Sequence, residues 1–337
     1  MDLSSIPFLA TALAIVISWA LFAIFCSLLQ ECVAQILADR GRFMKKYLLK
    51  QLQDLSNGVN WASMFYLHGT IDLLSRRINK PTSDISPDLF ARTIVEVVGS
   101  AHLVQMQIDE LKKTGQKDFK DEENNYKHSV LYNYKAAMQV LKPSDVVSFF
   151  SQALKDAELR AGVGSTQTID EAAVYNHLTE NLDKWFQEFT QRLQLWYKKK
   201  IRVRLFVIGI LLGILLNIDS MQLFDFYNHS PESRAAVIKY YETNSKALND
   251  LANRVQSPLT QDSLLKLSKT FINSADSLRK TAVVPVGIKY SIFKTFPERS
   301  FYAWLMKILG VLISGFAASF GAPFWFDLLR KVYTKNP

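Results

Sequence analysis

The 337-residue chain has only two cysteines, Cys26 and Cys32, both at the end of the first apolar run. No disulfide framework is open to the rest of the chain, and no cysteine-rich metal site is possible. With 13 Gly and 10 Pro, the sequence has too few turn formers for an all-β sandwich, which leaves helix as the default. Histidine is sparse. His68, His102, His128, His177 and His229 have no His or Cys partner at ligand spacing, and there is no HExxH. Neither GxSxG nor CxxC occurs, and no paired-carboxylate motif stands out. The loop Ala161-Gly162-Val163-Gly164-Ser165-Thr166 lacks the GK[ST] ending of a P-loop and the third glycine of a dinucleotide fingerprint. The sequence therefore predicts no enzyme, no cofactor and no metal. The net charge is +9, yet residues 31–204 carry 25 Lys and Arg against 21 Asp and Glu, which is no nucleic-acid footprint. A hydrophobic fraction of 49% excludes disorder throughout.

Charge is missing from three stretches. Ile6 to Leu29 has none and is long enough for a span of roughly 20 apolar residues. Met1 to Ser5 lack Lys and Arg, and no small-x-small cleavage site follows, so an uncleaved span is expected rather than a signal peptide. Leu205 to Ile218 is shorter. Arg202 and Arg204 can snorkel outward at one end, and Met221 to Phe224 extend the apolar content at the other. Ile308 to Phe326, bounded by Lys307 and Asp327, is the third. Basic clusters at Arg40–Lys50, Lys198–Arg204 and Arg330–Lys335 fall on one side if there are three spans, and that side is the cytoplasm. The 11 Lys and Arg between residues 226 and 302 weigh little, because the rule is weak for long loops.

The expected class is thus all-α: a polytopic membrane protein with three transmembrane helices, a helical cytoplasmic domain and a helical external hairpin. The first span is placed at 1–30 with its N-terminus outside, the cytoplasmic domain at 31–202, and the second span at 203–225. An external region at 226–302, the third span at 303–327 and a cytoplasmic tail at 328–337 complete the layout. The cell inner membrane is the expected location, with multiple passes.

Helical periodicity fills in the rest. Leu29, Val33, Ile36, Leu37, Phe43, Tyr47, Leu48, Leu52 and Leu55 predict that the first span continues as an amphipathic helix. Ser86-Pro87 reads as a helix start, with a helix at Asp88–Ser100. Two more helices are expected near His128–Leu141 and Ser144–Arg160, after an exposed charged loop at Lys112–Lys127. From Asp170, the stripe Val174, Leu178, Leu182, Trp185, Phe186, Phe189, Leu193, Trp196, Tyr197 runs without a breaker into the second span. One continuous helix to about Leu223 is predicted. Outside, Ser230-Pro231-Glu232 predicts a capped helix start, and a second helix is expected from about Pro258. Val283 to Ser291, with Pro285 and Gly287, cannot be regular helix.

Short pieces of the chain resemble a family of uncharacterised bacterial integral membrane proteins. Ser319-Phe320-Gly321-Ala322-Pro323-Phe324-Trp325-Phe326-Asp327-Leu328-Leu329 is similar to that family's C-terminal GAPFWFDLL signature. Pro81 to Pro87 followed by Phe90-Ala91 is similar to PSYIPxxxFA, and Trp185-Phe186 with Tyr197-Lys198-Lys199 to WFDxxMxRxxGWYKR. Asn217-Ile218-Asp219 and Pro285-Val286-Gly287 also agree in order. The chain departs from the family pattern at Asp84, Gln187 and Leu195. The resemblance implies a layout in the bacterial inner membrane and no activity.

Polar residues at the membrane are the functional candidates, because burying them is costly: Asn217 and Asp219 near the outer end of the second span, Asp327 at the inner end of the third. Pro323 is expected to break the third span and leave the Ser319 carbonyl without its donor. Lys198, Lys199, Lys200, Arg202 and Arg204 are expected to contact anionic head groups. Gly310, Ser314, Gly315 and Ala318 form a small-residue face for helix packing, read as the seam of a homo-oligomer. The expected function is an oligomeric scaffold or effector that couples a cytoplasmic domain, and a protein partner there, to the lipid bilayer. The alternative is an oligomeric ion channel or transporter component. A reporter fused after Pro337 should be active in the cytoplasm, and one inserted near Ser257 should be active outside. Exchanged signals would defeat the charge argument.

Overall fold

A computed structural model describes residues 7–75, 80–101, 104, 106, 129–162, 170–255, 261–281 and 301–334. The expected loop at Lys112–Lys127, the glycine loop beyond Gly162, the Val283–Ser291 segment, His102 and His128 lie outside them. The described residues are all-helical apart from one two-stranded antiparallel hairpin, β1 (Gln53–Asp54) with β2 (Val59–Asn60). There are thirteen helices among them. Two compact units emerge, Ala38–Tyr197 and Met1–Leu37 with Lys198–Pro337.

In the Ala38–Tyr197 unit, α2 (Asp39–Gln51), α3 (Trp61–Leu67), α4 (Gly69–Asp72), α5 (Pro87–Ser100), α6 (Val130–Val140) and α7 (Asp145–Arg160) pack with the first part of α8 (Glu171–Leu216). Local chemistry sets their starts. The side chains of Asn60, Ser86, Ser129 and Ser144 accept from the amides of Ser63, Leu89, Tyr132 and Val147, which satisfies donors that a helix leaves unpaired. The α8 stripe is buried as its spacing requires: Val174, Leu178, Leu182 and Phe186 are fully enclosed, and Phe186 stacks on Phe90 with centroids 4.2 Å apart. Tyr134 is fully buried and donates to the Phe150 carbonyl at 3.1 Å. Burial pushes its phenol well above the ordinary range. Gly41 carries no side chain because the Pro81 carbonyl lies where a Cβ would be.

The second unit holds α1 (Pro7–Ile36), the rest of α8, α9 (Ser220–His229), α10 (Pro231–Arg254), α11 (Gln261–Thr281), α12 (Phe301–Ser319) and α13 (Ala322–Thr334). Pro7–Ile36 and Phe301–Ser319 are long and apolar enough to cross a membrane. Glu171–Leu216 with Ser220–His229 makes a third if this pair, bent by 54°, is one span. α1 is the interior helix of this unit: every side chain from Ala10 to Leu28 is buried or half-buried. The lipid-sized apolar exposure lies elsewhere, on Val207, Leu211 and Leu215 of α8 and on Leu305, Ile308, Leu312 and Phe316 of α12.

Several expected boundaries move, each for a local reason. The helix expected to continue from the first span stops at Ile36, and Ala38 turns with φ 47° before α2. The long helix ends at Leu216 rather than Leu223, because Asn217 adopts φ 54°, a conformation that Asn tolerates. Ser230 makes no side-chain capping bond to α10. The third span stops at Ser319, and Gly321 turns the chain with φ 79°. Pro323 then sits in the first turn of α13, where a missing donor costs little, so it does not kink a continuous span. The Trp325 indole donates to the Ala317 carbonyl at 2.7 Å, taking an acceptor that the helix end leaves open.

α12 runs antiparallel to α8 and meets it through glycine. A Cβ on Gly209 would lie 2.9 Å from the Ala318 Cβ and 3.0 Å from the Gly315 Cα. Gly209→Leu should therefore cost about 1–3 kcal/mol through overpacking, read as a lower thermal midpoint in detergent. Val207→Leu, on the exposed side of the same helix, should leave the midpoint unchanged.

Candidate functional site

The site grows from the break between α8 and α9. At the end of α8 the Ile218 amide reaches back to the Gly213 carbonyl at 2.9 Å, closing the last turn. Asp219 then starts α9 as its N-cap: its Oδ1 accepts from the Met221 amide at 2.9 Å and the Gln222 amide at 3.2 Å. Asn217 and Asp219 are 2% and 4% exposed, so their polar atoms need partners inside the protein.

Lys307 of α12 supplies them. Its Nζ donates to Asn217 Oδ1 at 2.5 Å and to Gln222 Oε1 at 3.2 Å, and lies 3.5 Å from Asp219 Oδ2. The Asn217 amide donates to the same Gln222 oxygen at 3.0 Å. Gly310 makes room, since the Asp219 carboxylate occupies the position of its absent Cβ. Deeper in the unit a hydroxyl chain follows. Ser314 donates to the Gly310 carbonyl at 3.1 Å, so in its 2.7 Å contact with Ser220 it is Ser220 that donates. Ser220 in turn accepts from the Trp19 indole at 3.0 Å.

Each residue of this knot has a hydrogen-bond partner, and nucleophile–base geometry is absent from it. Among the described residues no group of three His, Cys, Asp or Glu is placed to hold a metal. The arrangement fixes the bend between α8 and α9 and pairs the buried Asp219 with a half-buried Lys307. Elsewhere, Glu180 gathers Lys184 at 2.6 Å, Arg160 at 3.3 Å and His177 at 3.5 Å. Hydrogen bonds from Lys184 and His177 hold its carboxyl below the usual range, but the cluster is solvated surface.

The sequence candidates divide. Asn217 and Asp219 come together at the break between α8 and α9, and the structure adds Lys307, Gln222, Ser220 and Trp19. Lys307 reads in the sequence as a span boundary, which hid its role. Asp327 is not part of the site: it is exposed and pairs with Arg330 at 2.9 Å. Lys198, Lys199 and Arg202 are exposed, Lys200 and Arg204 half-buried. Gly310, Ser314, Gly315 and Ala318 are taken up inside the chain, against Asp219, Ser220, Ile210 and Gly209.

Comparison of the chain with protein-family models, with curated proteins and with solved structures returns no match.

Lys307→Met leaves Asp219 buried with no counter-charge. A loss of about 1–3 kcal/mol is expected, since Asp219 keeps its two amide bonds and loses a half-buried partner, read by thermal unfolding in detergent. The double variant Lys307→Met with Asp219→Asn keeps a capping side chain and should recover most of it. Equal instability of single and double variants would show that the pair is not what holds the break.

Proposed function

We propose that this multi-pass membrane protein is a scaffold or effector of the cell inner membrane, in which a cytoplasmic helical unit works on, or through, a membrane unit. The observation that carries the reading is α8 itself. It is one helix from Glu171 to Leu216, and no Gly or Pro interrupts it before Gly209. Its first part supplies core residues Val174, Leu178, Leu182 and Phe186 to one unit, and its last part packs Gly209 on α12 in the other. A helix without a breaker bends gently and carries a tilt or rotation along its length. The basic run Lys198 to Arg204 suits anionic head groups, and a protein partner would act on the cytoplasmic unit.

A second reading is a channel or transporter component. The ion pair at a broken span favours it, since broken helices carry ion and substrate sites in transporters. Three spans are too few for a path within one chain, so this reading requires a homo-oligomer. Purified protein in lipid vesicles separates the two, because ion flux would replace the scaffold reading with this one.

Coupling has its own test. In hydrogen-exchange mass spectrometry, Lys307→Met should lower amide protection in the 174–193 part of α8 as well as near residue 217. Two glycines inserted after Leu195 cost about 1 kcal/mol each and turn the register by roughly 200°, and should confine the effect to the membrane unit. Unchanged protection at 174–193 in the single variant would reduce α8 to a tether.

A further inference from the structure

The basic clusters put residues 226–302 outside, but the hairpin of α10 and α11 does not sit beyond the outer end of α1. It lies along it. Arg234 of α10 donates to Thr11 Oγ1 at 3.0 Å, and Phe271 of α11 stacks on Phe25 with centroids 5.9 Å apart. Between them, Tyr240 ties the two hairpin helices by donating to the Ser274 carbonyl at 2.8 Å. At 1.5 Å per residue, Thr11 and Phe25 are about 21 Å apart along α1. That is most of the roughly 30 Å hydrocarbon thickness of a bilayer. At about 100° per residue they also share one side of the helix, with Trp19 about 100° away, on the side that meets Ser220 and Trp325.

α10 turns its large apolar residues towards the unit, while α11 also exposes Leu265 and Ile272. Val237, Ile238, Tyr241, Leu248 and Leu251 of α10 and Leu264 and Leu267 of α11 are buried. Its outer surface carries Lys239, Glu242, Lys246 and Asp250 on one stripe of α10, and Lys266 and Lys269 on α11, all exposed. Lipid cannot solvate that surface, because charged side chains in hydrocarbon are costly unless paired or wetted. Along α8 and α12 the exposed residues are instead Leu211, Leu215, Ile308, Leu312 and Phe316, which acyl chains solvate well. The two surfaces belong to the same unit, and the hairpin and α12 both pack on α1.

We infer that the α10–α11 hairpin is a water-facing wall set beside α1 at membrane depth, so that the unit meets lipid along α8 and α12 and water along the hairpin. This rests on α1 crossing the bilayer. It goes beyond the scaffold reading, because a plain anchor has no use for a wetted face within the membrane. The charged stripe of α10 then faces water.

The test uses the full chain in lipid vesicles, with Cys32→Ser leaving only the buried Cys26. Single cysteines replace exposed residues, which spares the fold: Lys239→Cys and Lys246→Cys on the hairpin, Leu211→Cys and Leu312→Cys on the apolar side. A charged, membrane-impermeant maleimide is supplied on both faces of the vesicles. The hairpin thiols should react at the rate seen in denaturant, and the apolar-side thiols at least about tenfold slower, since reaction needs the hydrated thiolate. A nitroxide at Leu312 reports the depth of the Trp19 level, to which Ser314 and Ser220 join it. It should relax with lipid-dissolved oxygen, while nitroxides at 239 and 246 relax with a water-soluble agent. Hairpin thiols as protected as those at 211 and 312 would overturn the inference. A water-exposed Leu312 nitroxide would overturn it too, by placing the unit outside the hydrocarbon. Neither result bears on the hydrogen-exchange test of coupling, so the two readings fail separately.

Discussion

A carboxylate enclosed among apolar helices persists only if its charge is shared, and Asp219 shares it with two backbone amides and with Lys307. Much of the membrane unit follows from that arrangement. The cap sets where α9 begins and the direction it takes. The direction brings Ser220 under the Trp19 indole and Tyr227 against Ser18 at 2.8 Å. Since Ser18 already donates to the Ala14 carbonyl, the Tyr227 hydroxyl is the donor to Ser18. Arg234, just past α9, then reaches Thr11 and the Tyr227 carbonyl. α1 is thus held at two levels, Ser18–Trp19 and Thr11, by side chains that come after one break. Gly310 is the counterpart on α12, since any side chain there would collide with the carboxylate.

Helix starts were legible in the sequence because their causes are local. Ser86-Pro87, Ser144 and Asp170 each precede a helix by one position, and the α8 stripe declares its buried face by spacing alone. Helix ends were less legible. Asn217 inside an apolar run carries no strong stop signal, and the turn depends on a lysine ninety positions away in the chain. For the same reason only part of the polar knot could be named from sequence: Asn217 and Asp219 stand out against their neighbours, whereas Lys307 borders its own apolar run and reads as a boundary. The small residues of α12 were legible as a packing face, but spacing cannot say whose helix they pack against. Here Gly209 of the same chain answers.

The same distinction governs how the apolar runs are understood. Hydropathy reports that a segment avoids water, which a lipid-bathed helix and a protein-enclosed helix do equally well. α1 is the longer of the two apolar helices, yet it is the enclosed one, with small residues Ala10, Ala14, Ala20 and Ala23 admitting neighbours closely. α8 supplies fewer apolar residues and surrounds them with Arg202, Arg204 and Asn217, yet its Val207–Leu211–Leu215 stripe is bare. Charge tells the two kinds of surface apart where hydropathy does not. α10 and α12 both pack on α1, yet the outer stripe of α10 carries lysine and acid and that of α12 leucine, isoleucine and phenylalanine. A helix enclosed between such partners marks the place where the protein itself, rather than the bilayer, separates water from hydrocarbon.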